Sequence, residues 1–477
     1  MTRRRGAIAF WSCLFGAVLA SRLCHANILW ADEDYHLAAA IQVLHGKLPY
    51  RDFWYDKPPL NLLFYLLFGA RTGIPLRVAD SLFVLLCCAL AFLLASRMRS
   101  RREGYFAAGA LAFFLIFYLP PGILPLEPDT LMVAPELAAV YLAWRGKPLL
   151  SGLMSGIAFQ LSAKGVFVLA SAALFAPGGI LWMLLGFLAP EALVLGWLAA
   201  TGSARDYFEQ VWRWGWLYAG SSGIAARADL LRVLDWLGFH AALLIPAVWY
   251  WMRGKSPDRW RIAGWCVISL IAAGAGLRFA PRYFNLLLPA LAIPAAFGAL
   301  RLPRAAWLFM MAALTIPAIR FGPRYVELAR EDLGGVPHAW KDVAMDRESR
   351  ALAGKILADA GPGSTIFIWG YRPDIVAYSR LAVAGKLWDS QPLTGVPADR
   401  HLSDSHPVAA DWARENRMDL LRAPAPDFLA DGLSRYNPAL DIHRYPELTD
   451  WLKQYCLVEQ TGGTDLYRRC AEMPKNR

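Results

Sequence analysis

From Gly6 to Arg320 the chain returns again and again to apolar stretches separated by short, arginine-rich turns. Nothing else in the sequence restricts its folding as much. In hydrocarbon every backbone N–H and C=O must find its partner within the chain, so apolar stretches of this kind have to be helices. The stretches run roughly 6–24, 76–96, 104–121, 127–144, 149–164, 165–176, 180–200, 236–252, 262–279, 283–300 and 305–320. At roughly 20 residues per crossing they predict about eleven transmembrane helices, the pair 149–164 and 165–176 being short for a hairpin of two full spans.

Composition agrees: 57% of the residues are hydrophobic and 18% charged, too apolar for an ordinary soluble enzyme. Twenty tryptophans suit a chain with two membrane interfaces. The formal charge of +11 does not point to nucleic acid, because polytopic proteins collect Lys and Arg on cytoplasmic loops. With the N-terminus in the cytoplasm, Arg3 to Arg5, Arg97 to Arg102, Arg145 and Lys147, Arg253 to Arg261, and Arg301 and Arg304 all fall inside. The segment after "TRRR" has no clear small-x-small cleavage site and reads as a retained first helix.

The same topology puts three larger pieces outside: the stretch after the first helix, a loop from Thr201 to Asp235, and the polar region 321–477. That last region alternates strand-like runs, "STIFIWG" and "DLLRAPA", with helical ones such as "PVAADWARENRM", and predicts a small α/β domain. The domain reading is thus 1–320 in the membrane and 321–477 periplasmic or extracellular, in a multi-pass protein of the inner (plasma) membrane. Of seven cysteines, five lie in or beside apolar segments without metal-site spacing. Cys456 and Cys470 bracket a predicted hairpin, "CLVEQTGGTDLYRRC", and a three-residue loop centred on Gly463 would set them face to face, making a disulfide geometrically possible.

The first outer piece, "WADEDYHLAAAIQVLHGKLPYRDFWYDKPPL", concentrates acid where the flanking chain belongs in lipid. Capping explains part of this. Asp32 fits an N-cap, Glu33 and Asp34 suit the positive end of an interfacial helix, Gly46 closes it, and Leu37, Ile41 and Leu44 form an apolar stripe. His36 and His45 read as helix-surface histidines. Capping does not require a second acid, Asp56, directly before Lys57 and a Pro-Pro pair that stiffens the start of another short helix.

In that Asp-Glu pair and in "DKPP" the chain resembles the GT-C membrane glycosyltransferases, specifically the branch of the lipid A aminoarabinose transferases and protein O-mannosyltransferases. "SGLMSGIAFQLSAKGVFVL" and "RYFNLLLPALAIP" are similar to further stretches of that family, in the same order. The resemblance implies a mainly α, GT-C-type polytopic bundle with interfacial helices in its first outer loop. It implies a sugar donor on a polyprenyl phosphate, drawn from the membrane lipids, and inverting transfer to an acceptor hydroxyl on a lipid, polysaccharide or protein. It permits a divalent cation without requiring one, and no nucleic-acid partner follows from it.

The residues make chemical sense of this. An alcohol becomes a competent nucleophile when a carboxylate takes its proton, and Asp32 is the candidate base. A departing phosphate needs positive charge rather than a general acid. Lys57 is the first candidate for it, followed by Lys164, Arg278 and Arg282. Lys164 also fits a lysine snorkelling to the interface, and Arg278 and Arg282 also fit salt bridges to a loop carboxylate. Glu33 and Asp56 are candidates to support the site or to hold a divalent cation. The loop "RDYFEQVWRWGWLYAGSSG" reads equally as an aromatic interfacial anchor and as a cover over a sugar. A transporter or flippase of lipid-linked sugars is the alternative from another class. Such a protein carries its charges on broken helices at the bilayer midplane, whereas these acids gather on an outer loop.

Overall fold

The computed structural model describes residues 2–118, 126–221, 226–276, 279–336, 340–397 and 406–470. Helices stand in all eleven apolar stretches, beginning with α1 (Thr2–Leu23) and, beyond the first outer piece, α4 (Ile74–Met98). Between them lie α2 (Glu33–Leu44) and α3 (Leu60–Leu66), the latter starting at Pro59 as the Pro-Pro pair predicts. Among the described residues, four helices are long and apolar enough to cross a membrane alone, and five if the pair Arg227–Phe239 and Ala241–Arg253, bent by 84°, counts as one. The length test thus supports four or five of the eleven expected spans.

The shortfall comes from breaks. Helix Pro148–Phe159 has 12 residues and Gly165–Ala173 has 9, and the break between them leaves Lys164 outside regular helix. Stretch 127–144 divides into Pro128–Leu131 and Val133–Trp144. The helix of the last apolar stretch is longer than expected, running from Arg304 to Asp332 and carrying the chain past residue 320 without interruption. The glycines of "SGLMSG" let backbones touch: a Cβ on Gly152 would lie 1.9 Å from the carbonyl oxygen of Met183 in helix Ile180–Ala200. Small residues four apart permit this close helix crossing.

The region after 340 is built on one five-stranded sheet in the order β2-β1-β3-β5-β4. Its strands are β1 (Thr365–Trp369), β2 (Ala382–Val383), β3 (Phe428–Asp431), β4 (Tyr455–Gln460) and β5 (Asp465–Arg469). Interior strand β1, "TIFIW", is parallel to both neighbours and buried from Ile366 to Trp369, which is why its apolar run does not alternate. The run "DLLRAPA" is not a strand. Its first residues complete helix Ala410–Arg422, whose amphipathic period outlasts the short apolar run, and the strand begins at Phe428.

The β4/β5 hairpin differs in register from the expectation. A shift between Leu457 and Glu459 pairs Cys456 with Arg468 rather than with Cys470. The two cysteines are nonetheless disulfide-bonded on the diagonal, their Cα atoms 5.3 Å apart.

The sheet region sits directly on the first outer piece. The buried side-chain amide of Gln42 behaves like a neighbouring strand, donating to Leu381 O (3.1 Å) and accepting from Val383 N–H (2.8 Å). Trp54 N–H donates to Lys386 O (2.7 Å), and Trp388 Nε1–H donates back to Trp54 O (2.8 Å). Under this cover α2 is buried on every face from Glu33 to Gln42. The interfacial helix with one apolar stripe is therefore corrected: α2 is sandwiched inside the protein, and of the expected stripe only Leu44 is exposed.

Candidate active site

Where the first outer piece, the helix breaks and the sheet region meet, they enclose a cavity of about 460 Å³. Asp32, His36, Asp56, Lys57, Glu127, Asp129, Lys164 and Arg282 bring its charge and polarity, while Tyr35, Phe167, Trp212, Trp216 and Tyr371 bring its aromatic walls.

Asp32 opens α2 with φ +79°, a conformation costly for a residue with a Cβ, and its side chain makes no capping hydrogen bond. Its carboxylate is ion-paired instead with Arg282, which comes from the short helical turn Pro281–Phe284. The expected salt bridge between a loop carboxylate and Arg282 is thus present, and the carboxylate is the candidate base itself. The adjoining Glu33 braces the chain before the helix, its Oε1 accepting from Trp30 N–H (2.9 Å).

Glu33 does not line the cavity. Both its oxygens are held by Arg77, at 2.6 and 3.0 Å, in a pair with almost no solvent exposure. Arg77 also donates to His25 O (3.0 Å) and Ile28 O (2.6 Å), tying α4 to the chain just before Asp32. Because Arg77 takes both oxygens, Glu33 does not fit the cation-holding part, and among the described residues no three His, Cys, Asp or Glu side chains converge as metal ligands.

Asp56 and Lys57 do reach the cavity, paired with one another at 2.8 Å. The pair is anchored through its backbone: Asp56 N–H donates to Tyr35 Oη (3.3 Å) and Tyr50 O–H to Lys57 O (2.8 Å). Lys164 points into the same cavity rather than snorkelling. Its ammonium lies 2.8 Å from Asp129 Oδ1 and 3.4 Å from the centre of the Tyr283 ring. Arg278 lies outside the described residues.

Two acids were missed. Glu127 accepts from the backbone of Asp129 (2.8 Å) and Thr130 (2.9 Å) and from the Asn285 amide (3.2 Å), so it builds the turn that presents Asp129 to Lys164. Their signal is "LEPDTL", acids around a proline at the start of an apolar stretch, the same pattern as "DKPP". His36 is a correction too: it is buried, with Nδ1 2.6 Å from Tyr55 Oη. Burial, and then the charge of Lys57, push its pKa down to about 3, so the ring is neutral at any physiological pH.

Tyr35 stacks on Tyr55, Trp388 and Tyr371 at centroid distances of 5.5, 5.5 and 5.7 Å. Trp388 and Tyr371 belong to the sheet region, which contributes Tyr371 and Gln391 to the cavity wall. From the aromatic loop, Trp212, Trp216 and Tyr218 line the cavity.

A second pin holds the sheet region near Asp32. Asp346, on helix Lys341–Asp359, accepts from Leu29 N–H (2.9 Å) and from Tyr378 O–H (2.5 Å). Burial pushes its carboxyl up to about 6, the two hydrogen bonds opposing the rise. A carboxyl raised in the fold contributes stability that is complete below its unfolded value and is lost as pH rises through about 6. Asp346→Asn keeps an acceptor oxygen and removes the charge. Melting followed by tryptophan fluorescence is expected to show wild type losing stability relative to this variant between about pH 4 and pH 7, by at most roughly 3 kcal/mol. Parallel curves for the two proteins would rule the effect out.

Together these parts define a fold that recurs among solved structures. The crystal structure of ArnT from Cupriavidus metallidurans bound to undecaprenyl phosphate matches it with a TM-score of 0.62, 13% identity, and coverage of 98% of this chain and 98% of that one. The apo structure of the same ArnT gives a TM-score of 0.60 and 14% identity over 97% of this chain and 98% of the other. At such identities the likeness is one of fold. No protein-family model matches the sequence, and no curated protein matches it.

Proposed function

We propose that this protein is an inverting membrane glycosyltransferase that moves a hexosyl or pentosyl group from a polyprenyl-phosphate donor to an acceptor hydroxyl on the outer side of the inner membrane. The observation that carries the reading is the gathering of Asp32, Lys57 and Arg282 around one cavity, from segments 25 to 250 residues apart. The ArnT structure of the same fold, bound to undecaprenyl phosphate, supports the donor class.

In the proposed reaction Asp32 takes the acceptor O–H proton as the oxygen attacks the anomeric carbon. The new C–O bond forms on the face opposite the old one. The bond from that carbon to the phosphate oxygen breaks, and the electron pair leaves with the polyprenyl phosphate. Lys57 and Arg282 offset the charge that collects there, with Lys164 completing the positive lining. Asp56 supports this by holding Lys57. The reaction as proposed routes no step through a metal ion. Residues 1–320 act as the catalytic membrane part, with the N-terminus cytoplasmic, and 321–477 as the outer part that closes the cavity. The acceptor is a lipid, a polysaccharide or a protein.

The test compares envelope glycans and glycolipids by mass spectrometry in cells with and without this protein. Loss of a hexose or pentose mass from one glycoconjugate, restored by the gene, is the expected result. Identical profiles would remove the transferase reading.

A further inference from the structure

Each described cation at the cavity already carries a carboxylate: Lys57 has Asp56, Lys164 has Asp129, and Arg282 has Asp32. A lipid phosphate arriving there meets satisfied ion pairs and must take a share of one. The three pairs differ in how readily they yield it. The Lys164 side chain is 14% exposed and covered by the Tyr283 ring, so a phosphate would have to displace both of its partners. Lys57 keeps Asp56 through one of its three ammonium hydrogens and has others to offer, so it needs no exchange.

Arg282 is different. Its side chain is 39% exposed, it reaches Asp32 from 250 residues away in sequence, and its planar fork suits a phosphate as well as a carboxylate. Asp32, for its part, makes no cap bond that would hold its carboxylate back.

We propose that Arg282 is a positioning residue exchanged between base and donor: it neutralises Asp32 in the free protein and passes to the lipid phosphate when the donor binds. This rests on the donor assignment made above. A carboxylate gripped by a guanidinium is a weakened base, because the pair favours its ionised form. Transfer of Arg282 to the phosphate restores that basicity where and when the anomeric carbon is in place. The acceptor proton is then drawn off only in the presence of donor, and donor binds before the acceptor is activated.

The exchange makes Asp32 and the phosphate competitors for one guanidinium, which a binding cycle reads without any sugar transfer. Undecaprenyl phosphate binding is measured at low salt for wild type, Asp32→Asn, Arg282→Gln and the double variant, in lipid nanodiscs. Asp32→Asn is expected to tighten binding about two- to fivefold, the worth of a partly exposed ion pair. Arg282→Gln weakens it, and in that background Asp32→Asn adds nothing. Should Arg282→Gln fail to fold, Arg282→Lys takes its place, with the gain from Asp32→Asn reduced. Unchanged or weaker binding by Asp32→Asn overturns the exchange while leaving the donor assignment standing. So does a gain that persists in full without Arg282, which would reflect loss of negative charge alone. Failure of the wild-type protein to bind undecaprenyl phosphate overturns the donor assignment and the exchange with it.

Discussion

Asp32→Asn is expected to leave the protein folded and able to bind undecaprenyl phosphate while lowering sugar transfer about 100- to 10,000-fold, the usual contribution of a positioned general base. The substitution preserves volume and one acceptor oxygen, and residue 32 makes no capping bond that the fold would lose. Asparagine also tolerates the left-handed backbone conformation at this position at least as well as aspartate. A fall in turnover with normal melting therefore reports chemistry. The measurement is the rate with saturating polyprenyl-phosphate sugar and purified protein, beside a melting curve of the same preparation. Intact transfer by the variant would remove Asp32 from the role of base. Asp56→Asn provides contrast, because Lys57 keeps its position through the backbone bond from Tyr50 and only one of its partners changes. Its expected effect falls mainly on donor affinity.

The parts of this site that could be read from sequence are those that violate local expectation. Asp32 and Asp56 stood out because acids at the start of two helices on one loop exceed what capping explains, and both line the cavity. What pairs with them was not readable. Arg77 is 44 residues from Glu33, and nothing local in "IPLRVAD" says that its guanidinium grips a carboxylate instead of facing an interface. The helical pattern around His36 says nothing of Tyr55 and Tyr65, which fold back against it from the same outer piece. Docking of the sheet region explains the contributions of Tyr371 and Gln391, which come from a segment without a catalytic pattern of its own. Helix number suffered differently. Apolar composition locates a helix in each of the eleven stretches but is blind to the bend at His240 and to the break from Gln160 to Lys164, and that break places Lys164 at the cavity. Hairpin register failed by one bulge, and the disulfide survived because a diagonal neighbour is also within bridging distance.

Arg77→Met is expected to be the most damaging single substitution away from the chemistry. The Arg77 and Glu33 side chains are 1% and 0% exposed, so removing the cation strands a carboxylate with no water to solvate it. Breaking a buried pair from one side costs about 3–5 kcal/mol. The carbonyls of His25 and Ile28 lose their donor as well, and the neighbouring Arg22 and Asp80, paired at 2.8 Å on α1 and α4, lie in the same buried charge system. The expected result is poor recovery from the membrane and a melting midpoint lowered by many degrees. Replacing both partners, Arg77→Met with Glu33→Leu, is expected to recover most of that stability, since an apolar pair of similar volume removes the stranded charge. It is not expected to recover sugar transfer. Glu33 braces the chain before α2 and with Arg77 fixes the segment on which Asp32 is strained toward the cavity, so a stable double variant still presents Asp32 loosely. Stability restored with transfer absent separates this pair from the cation-holding role, which would instead make Glu33→Gln respond to added divalent metal. A double variant that transfers sugar at the wild-type rate would show that the pair serves folding alone.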